Sequence, residues 1–330
     1  MRSHAHRIWL DSPARPAPVS HMPEVAILTP DPLDASFAGL WPVVLTRLRD
    51  ALASAGVEAT PTPWTDHVEL ASSLERFALV LPLLAWGYHH DHARWLQACR
   101  TWEDAGLPLA NPATVLAWNS DKRYLQALAQ RGVAIAPTIW TGQVTAQQLD
   151  DAFASTGAAQ LIVKPTVSGG AWQTLRVNRG DRLDNAHAQY PQGAAMIQPY
   201  LPTIETHGET SLLYFGGRLS HVVNKRPVPG EFRVQVQYGG VYTALQTPPA
   251  GALALAEQTL AAIDAPLLYA RIDTVPDADG RWLLMEAELI EPDFYLGADP
   301  QAGTTFGHAL RALLAARAGA GAGAGAGAPR

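Results

Sequence analysis

The stretch LLMEAELIEPDF (283–294) is apolar enough for a buried strand, yet it carries Glu286, Glu288, Glu291 and Asp293. In an extended chain, side chains two apart share a face, so Glu286 and Glu288 lie side by side while Met285, Ala287 and Leu289 point the other way. Neighbouring carboxylates repel, and each loses hydration on burial, so a buried pair needs a cation or a proton. Mg2+ would serve, because it takes a few carboxylate oxygens and leaves its other positions to water and phosphate. The alternative is an edge strand with solvated glutamates. Asp273, in RIDTV (271–275), bears on the choice. The short turn PDADG (276–280) joins its strand to the glutamate strand, so hairpin pairing brings Asp273 near Glu286 and Glu288.

Upstream of this hairpin, residues 252–263 read as a helix, and short strands with glycine turns run back to Gln160: QLIVKP, TLRV, AAMIQPY, ETSLLYF, RLSHVVNK and FRVQVQYGG. Gly216-Gly217 marks a hairpin between SLLYF and RLSHVVNK. The texture differs before residue 110, where EVAILTP, a helical pattern over 42–57, FALVLPLL and a second helical pattern over 91–106 alternate as in a parallel α/β layer. Between the two parts, Pro112 suits a helix start, and Ser120 can cap a second helix ending near Gly132. The fold class expected is α/β followed by α+β. Its divisions are a disordered leader (1–22), an α/β domain (23–110), a central subdomain (111–200), a C-terminal subdomain (201–316) and a disordered Ala/Gly tail (317–330).

Composition narrows the function. The 330 residues carry 24 Lys and Arg against 30 Asp and Glu, a net charge of −6 with no basic block, which gives no support to a nucleic-acid or anionic-membrane partner. The single cysteine, Cys99, excludes an intrachain disulfide framework and fits a reducing cytoplasm. The longest apolar run, 77–86, is interrupted by Pro82 and is too short to span a bilayer. The first twenty-one residues contain no secretory apolar core, and Met22 is a second candidate start.

Three further features carry chemistry. Lys164 ends the apolar strand LIVK and is followed by TVSGGAW, in which Ser168, Gly169 and Gly170 would let backbone N–H groups approach an anion. The plainer reading is a turn with a snorkelling lysine. Lys122, in NSDKRYL (119–125), is placed in the first turn of a helix, where a cation opposes the helix dipole unless it meets a phosphate. QPYLPTIETHGETS (198–211) reads as a proline-bounded crossover that can offer backbone groups to a purine and Glu209 to a ribose.

In this order the features resemble the ATP-grasp superfamily, in its glutathione-synthetase and ribosomal-modification-ligase branch. NSDK and IVKP resemble the elements that supply its two nucleotide-contacting lysines, here Lys122 and Lys164. MIQPYLP (196–202) looks like its adenine-binding hinge, with Gln198, Tyr200 and Leu201, and Glu209 would contact ribose. EAELIEP resembles the metal-binding E-x-N before a proline, with Glu288 in place of Asn, so Asp273, Glu286 and Glu288 are the implied metal ligands. The phrase 219–240 together with ELIEP looks most like the sub-branch that includes the D-cycloserine-forming ligase. Ser211 stands where glutathione synthetase has Arg, which argues against glutathione synthesis itself.

The resemblance covers roughly 111–312 and implies an ATP-grasp fold after a preceding domain. It also implies a ligase that joins a carboxylate to an amine through an acyl phosphate, on an amino acid or small derivative. ATP and two Mg2+ ions would be its cofactors, with Mn2+ as an alternative metal, and a homo-oligomer is compatible with it. Lys225, Arg226, Arg233 and Arg271 are candidates to hold the transferred phosphate or substrate carboxylate, with Arg271 and Arg233 favoured because each interrupts an apolar strand pattern. A small-molecule kinase or a non-catalytic ATP-binding regulator is the alternative. HHDH (89–92) looks like a metal cluster but is better read as a loop whose Asp91 caps the next helix.

Overall fold

A computed structural model describes residues 22–181 and 190–325, with side chains to 319. Almost all of the expected leader lies outside the described residues. The first layer is a parallel sheet of order β2-β1-β3, formed by β1 (Glu24–Thr29), β2 (Glu58–Pro63) and β3 (Leu79–Leu81). It is accompanied by α1 (Trp41–Ser54) and α2 (His92–Asp104). Strand β2, EATPTP, was not expected. Proline cannot donate to a ladder, and β2 accommodates Pro61 and Pro63 because it lies at the sheet edge.

Two short helices, α3 (Ala113–Asn119) and α4 (Tyr124–Gln130), lead into a four-stranded antiparallel sheet. Its strands are β4 (Ile139–Thr141), β5 (Gln160–Pro165), β6 (Leu175–Asn178) and β7 (Ala195–Pro199), in the order β4-β7-β5-β6, with α5 (Ala146–Thr156) packed on β7. After α6 (Thr203–Thr206), a five-stranded sheet of order β10-β9-β8-β11-β12 is built from β8 (Glu209–Phe215), β9 (Arg218–Arg226), β10 (Val241–Leu245), β11 (Tyr269–Pro276) and β12 (Trp282–Glu288). Helix α7 (Ala250–Ile263) packs on it. The expected hairpin over Gly216-Gly217 is β8–β9.

Two expectations are corrected. FRVQVQYGG is a loop with one short 3-10 turn at Val236–Tyr238, and strand β10 begins only at Val241. Gly240 explains the break: a Cβ there would lie 1.8 Å from the carbonyl oxygen of Val234, so the chain folds back on itself where a strand would have to run straight. The C-terminal helix α8 (Thr304–Gly325) extends well into the Ala/Gly tail, because alanine favours helix strongly enough to prolong one already anchored by packing.

That anchoring joins the ends of the fold. Helix α8 packs on α1, and a Cβ on Gly307 would meet Ala55 Cβ at 2.8 Å and Ala51 O at 3.0 Å. Phe306, Phe294 and Phe215 lie in the same buried cluster as Val25, Ile27 and Leu52, so the first layer shares its core with the five-stranded sheet. Among the described residues no helix is long and apolar enough to cross a membrane.

Candidate active site

The three layers enclose a cavity of about 1010 Å³. The acid row stands on its floor because strand β12 is fixed along its outer edge, which no further strand among the described residues covers. Leu284 N–H donates to Ala134 O at 2.8 Å, and Ala287 N–H donates to the Tyr124 hydroxyl at 2.8 Å. Beyond them, Asn119 Nδ2 donates to Ala287 O at 2.8 Å and its Oδ1 accepts from Leu289 N–H at 2.9 Å. A side-chain amide thus does the work of a neighbouring backbone. On the inner edge, Asp273 of β11 pairs in register with Glu286, and Arg271 with Glu288, as the hairpin reading required.

The carboxylates are compensated by the protein's own cations. Lys122 pairs with Glu286 and donates to Ser168 O at 3.1 Å. Arg271 pairs with Glu288 and donates to both oxygens of Asp273 at 3.0 to 3.2 Å. Lys225 pairs with Glu209 and lies 3.3 Å from Asp273 Oδ2. Burial alone would raise the pKa of Asp273, but Arg271 and Lys225 hold it down at about 2. Burial, helped by the negative Glu286 and Asp273, pushes Glu288 up to about 8 despite Arg271. Among the described residues, no group of three or more His, Cys, Asp or Glu is arranged to hold a metal.

Lys164 differs from these cations. It lines the cavity from β5, and among the described residues no carboxylate lies within ion-pair distance. Burial lowers its pKa, with Glu286 opposing. Lys122 is not in a helical turn, as the sequence suggested, but in the turn before α4, where its N–H donates to Thr166 O at 2.7 Å. Ser120 accordingly does not cap the second helix, whose N-cap is Arg123, but ends α3, its hydroxyl donating to Ala117 O. Lys122 is thereby tied, through its N–H and its Nζ, to the loop that follows Lys164 and β5. Ser168, Gly169 and Gly170 of that loop line the cavity, and a Cβ on Gly169 would meet the His89 ring at 3.2 Å.

Gln198, Tyr200, Leu201 and Glu209 also line the cavity. Gln198 donates to Thr138 Oγ1 at 2.9 Å, and Tyr200 to Glu205 at 2.5 Å. Arg233 reaches the cavity from the loop, bonded to Glu231 at 2.7 Å and stacked 3.6 Å from the Tyr238 ring centre. Arg226 is not brought to the site. Alternation along β9 turns it outward and exposed while Lys225 points inward, and its Nε donates to Asn224. Asp91 caps α2 as expected, accepting from Arg94 N–H at 3.1 Å. Sequence reasoning missed Asn119 and Tyr124 as supports for β12, although Asn119 opens the NSDK motif and Tyr124 lies two residues after it.

Comparisons with known proteins agree with this architecture. Residues 25–111 match the family described as the N-terminal domain of D-cycloserine synthetase DcsG. The cycloserine biosynthesis protein DcsG of Streptomyces lavendulae is 28% identical over 276 residues, which span 80% of this chain and 91% of that protein. The crystal structure of D-cycloserine synthetase DcsG matches with a TM-score of 0.74 at 26% identity, covering 88% of this chain and 99% of the other. The D-alanine–D-alanine ligase from Bacillus anthracis complexed with ATP has a TM-score of 0.64 at 17% identity, over 88% of this chain and 96% of that one, and shows the shared fold. This chain is an ATP-grasp enzyme of the ATP-dependent ligase class. Within that class it is similar to D-cycloserine synthetase.

Proposed function

We propose that the chain joins a carboxylate to an amine through an acyl phosphate, on an amino acid or a small derivative of one. Lys164 carries this reading. A half-buried lysine without a carboxylate is costly unless an anion completes it, and it shares a cavity with a second lysine, a glycine loop and a row of acids. ATP phosphates have the charge and size to engage Lys164 and Lys122 together, with N–H groups of the Ser168-Gly169-Gly170 loop beside them. The base and ribose would take the Gln198-to-Leu201 hinge and Glu209. The Bacillus anthracis ligase was crystallised with ATP, and another ATP-grasp ligase, PsnB, with Mg and ADP.

The donor set suits Mg2+. Asp273, Glu286 and Glu288 are hard oxygen ligands on one face of a hairpin, and Mg2+ needs only one or two carboxylates when phosphate and water complete its shell. When bound, it would offset charge on the transferring phosphoryl. Glu286 would then exchange Lys122 for metal as Lys122 turns to phosphate. Arg271 sits between Asp273 and Glu288, positioned for the substrate carboxylate or the transferred phosphoryl, with Lys225 behind it and Arg233 at the rim. The chain's part is positioning and electrostatic stabilisation, which requires no general base for phosphoryl transfer.

The test is to incubate the protein with ATP, Mg2+ and amino acids or their derivatives, singly and in pairs. ADP with free phosphate and an amide product is expected. ADP with a stable phosphorylated product would make it a kinase and overturn the ligase reading.

A further inference from the structure

Two acids of the cavity, Glu291 and Asp293, form no ion pair among the described residues, whereas Glu209, Asp273, Glu286 and Glu288 each have a lysine or arginine. Asp293 accepts from Tyr295 N–H at 2.8 Å, which leaves Glu291 as the acid without a bond from another residue. Its backbone is fixed at the seam with the first layer, where Trp86 Nε1 donates to Glu291 O at 3.2 Å. Burial pushes its carboxyl up to about 7, although its own backbone N–H, Lys122 and Arg271 act the other way.

A second observation comes from the other side of the seam. Tyr88 is 5% exposed and lines the same cavity, and its hydroxyl makes no hydrogen bond among the described residues. Burial raises its pKa, and Glu291 adds the largest charge effect, so the phenol and the carboxylate share one neighbourhood. A phenol that stays neutral can accept a hydrogen bond. The cavity here thus offers two oxygen acceptors that, among the described residues, receive no hydrogen bond from any other residue, the Glu291 carboxyl having only its own backbone N–H. A ligand carrying several N–H groups and a positive charge satisfies both, whereas a second carboxylate or a neutral alkyl group satisfies neither.

We propose that Glu291 and Tyr88 form the site for the substrate's ammonium group, which restricts the acid substrate to amino acids or derivatives with a free amine. This rests on the ligase reading and deepens it. It also places the carboxylate end of the substrate toward Arg271 and the amine end toward the first layer. Glu291 is then a specificity residue, and it belongs to the segment after β12 where the chain leaves the acid row.

The experiment is a binding titration, monitored by NMR, of the full chain with D-serine, L-serine, D-alanine and L-alanine. Each is compared with its amine-free counterpart, 3-hydroxypropionate or propionate, with and without Mg2+ and a non-hydrolysable ATP analogue. At least one amino acid should bind about tenfold or more tightly than its counterpart. Glu291→Gln should remove that preference, and Tyr88→Phe should reduce it several-fold, both variants being checked for fold by circular dichroism. Preference retained in Glu291→Gln, or no amino acid favoured over its counterpart by the wild type, would overturn the proposal. Failure of the ATP analogue to bind would overturn the ligase reading instead, and the nucleotide-free titrations still decide on the amine.

Discussion

Asn119 and Leu289 are joined as if by a strand ladder: the Leu289 N–H donates to Asn119 Oδ1 at 2.9 Å, while the Asn119 amide donates to the carbonyl of Ala287. Both groups are buried, so deleting the amide leaves a backbone donor and acceptor unsatisfied. Asn119→Ala should cost about 2 to 4 kcal/mol of stability, from roughly 1 to 3 kcal/mol per orphaned group less local relaxation. Chemical denaturation measures this, and a loss below about 0.5 kcal/mol would show that β12 does not depend on Asn119. Turnover should fall as well, because Glu286 and Glu288 are carried on the strand that loosens.

Lys122 and Lys164 should separate into different classes of variant. Lys122→Met strands the partly buried Glu286 carboxylate and should lower both nucleotide affinity and the stability of the ligand-free protein, the latter by about 1 to 3 kcal/mol. Lys164→Met removes a cation that pairs with no carboxylate, so ligand-free stability should hold or rise while ATP affinity falls at least tenfold. Thermal denaturation with and without ATP reads both effects. Equal destabilisation by the two substitutions would mean that Lys164 has a structural partner.

Much of this site was legible because its signals are local. Period-two alternation placed Glu286 and Glu288 on one face, and a five-residue turn was enough to bring Asp273 opposite Glu286. What was not legible depends on distant partners. Arg233 looked like an interrupted strand until the close approach of Gly240 to Val234 showed a loop, and pattern alone cannot reveal a steric contact of that kind. Lys225 and Arg226 carry equal weight in a sequence, and only the orientation of β9 decides which one faces the cavity. The acids were expected to await a metal, but three cations from three different segments already compensate them.

His89 gives the fold an acid-sensitive element. Burial lowers its pKa to about 4, with His90 and Lys122 adding to the effect. Burial also lowers those of His67, His92 and His221. The unfolded chain binds these protons near pH 6.5 and the native state does not, so stability is lost as pH falls from about 6.5 and levels off below about 4. Glu288 and Glu291 act in the opposite sense, losing stability as pH rises toward 7 to 8. A comparison with His89→Gln isolates the histidine. Relative to the variant, wild-type stability should decline by roughly 2 to 3 kcal/mol between pH 6.5 and 4. A parallel pH dependence in the two proteins would show that His89 titrates normally.

Glu286→Gln is the substitution that separates nucleotide binding from chemistry. In the ligand-free fold Glu286 neutralises Lys122, so ATP gains Lys122 only by displacing that carboxylate. Glutamine keeps the shape and gives up the charge, leaving Lys122 free to meet phosphate. ATP should therefore bind Glu286→Gln in EDTA at least as tightly as it binds wild type under the same conditions. Turnover with Mg2+ should nevertheless drop on the order of a hundredfold or more, because the carboxylate that would hold the metal against the transferring phosphoryl is gone. Calorimetric titration of ATP in EDTA measures the first effect, and ADP release with substrates and Mg2+ measures the second. If the variant releases ADP at the wild-type rate, Glu286 is no more than the counter-ion of Lys122, and the metal site must be sought elsewhere in the cavity.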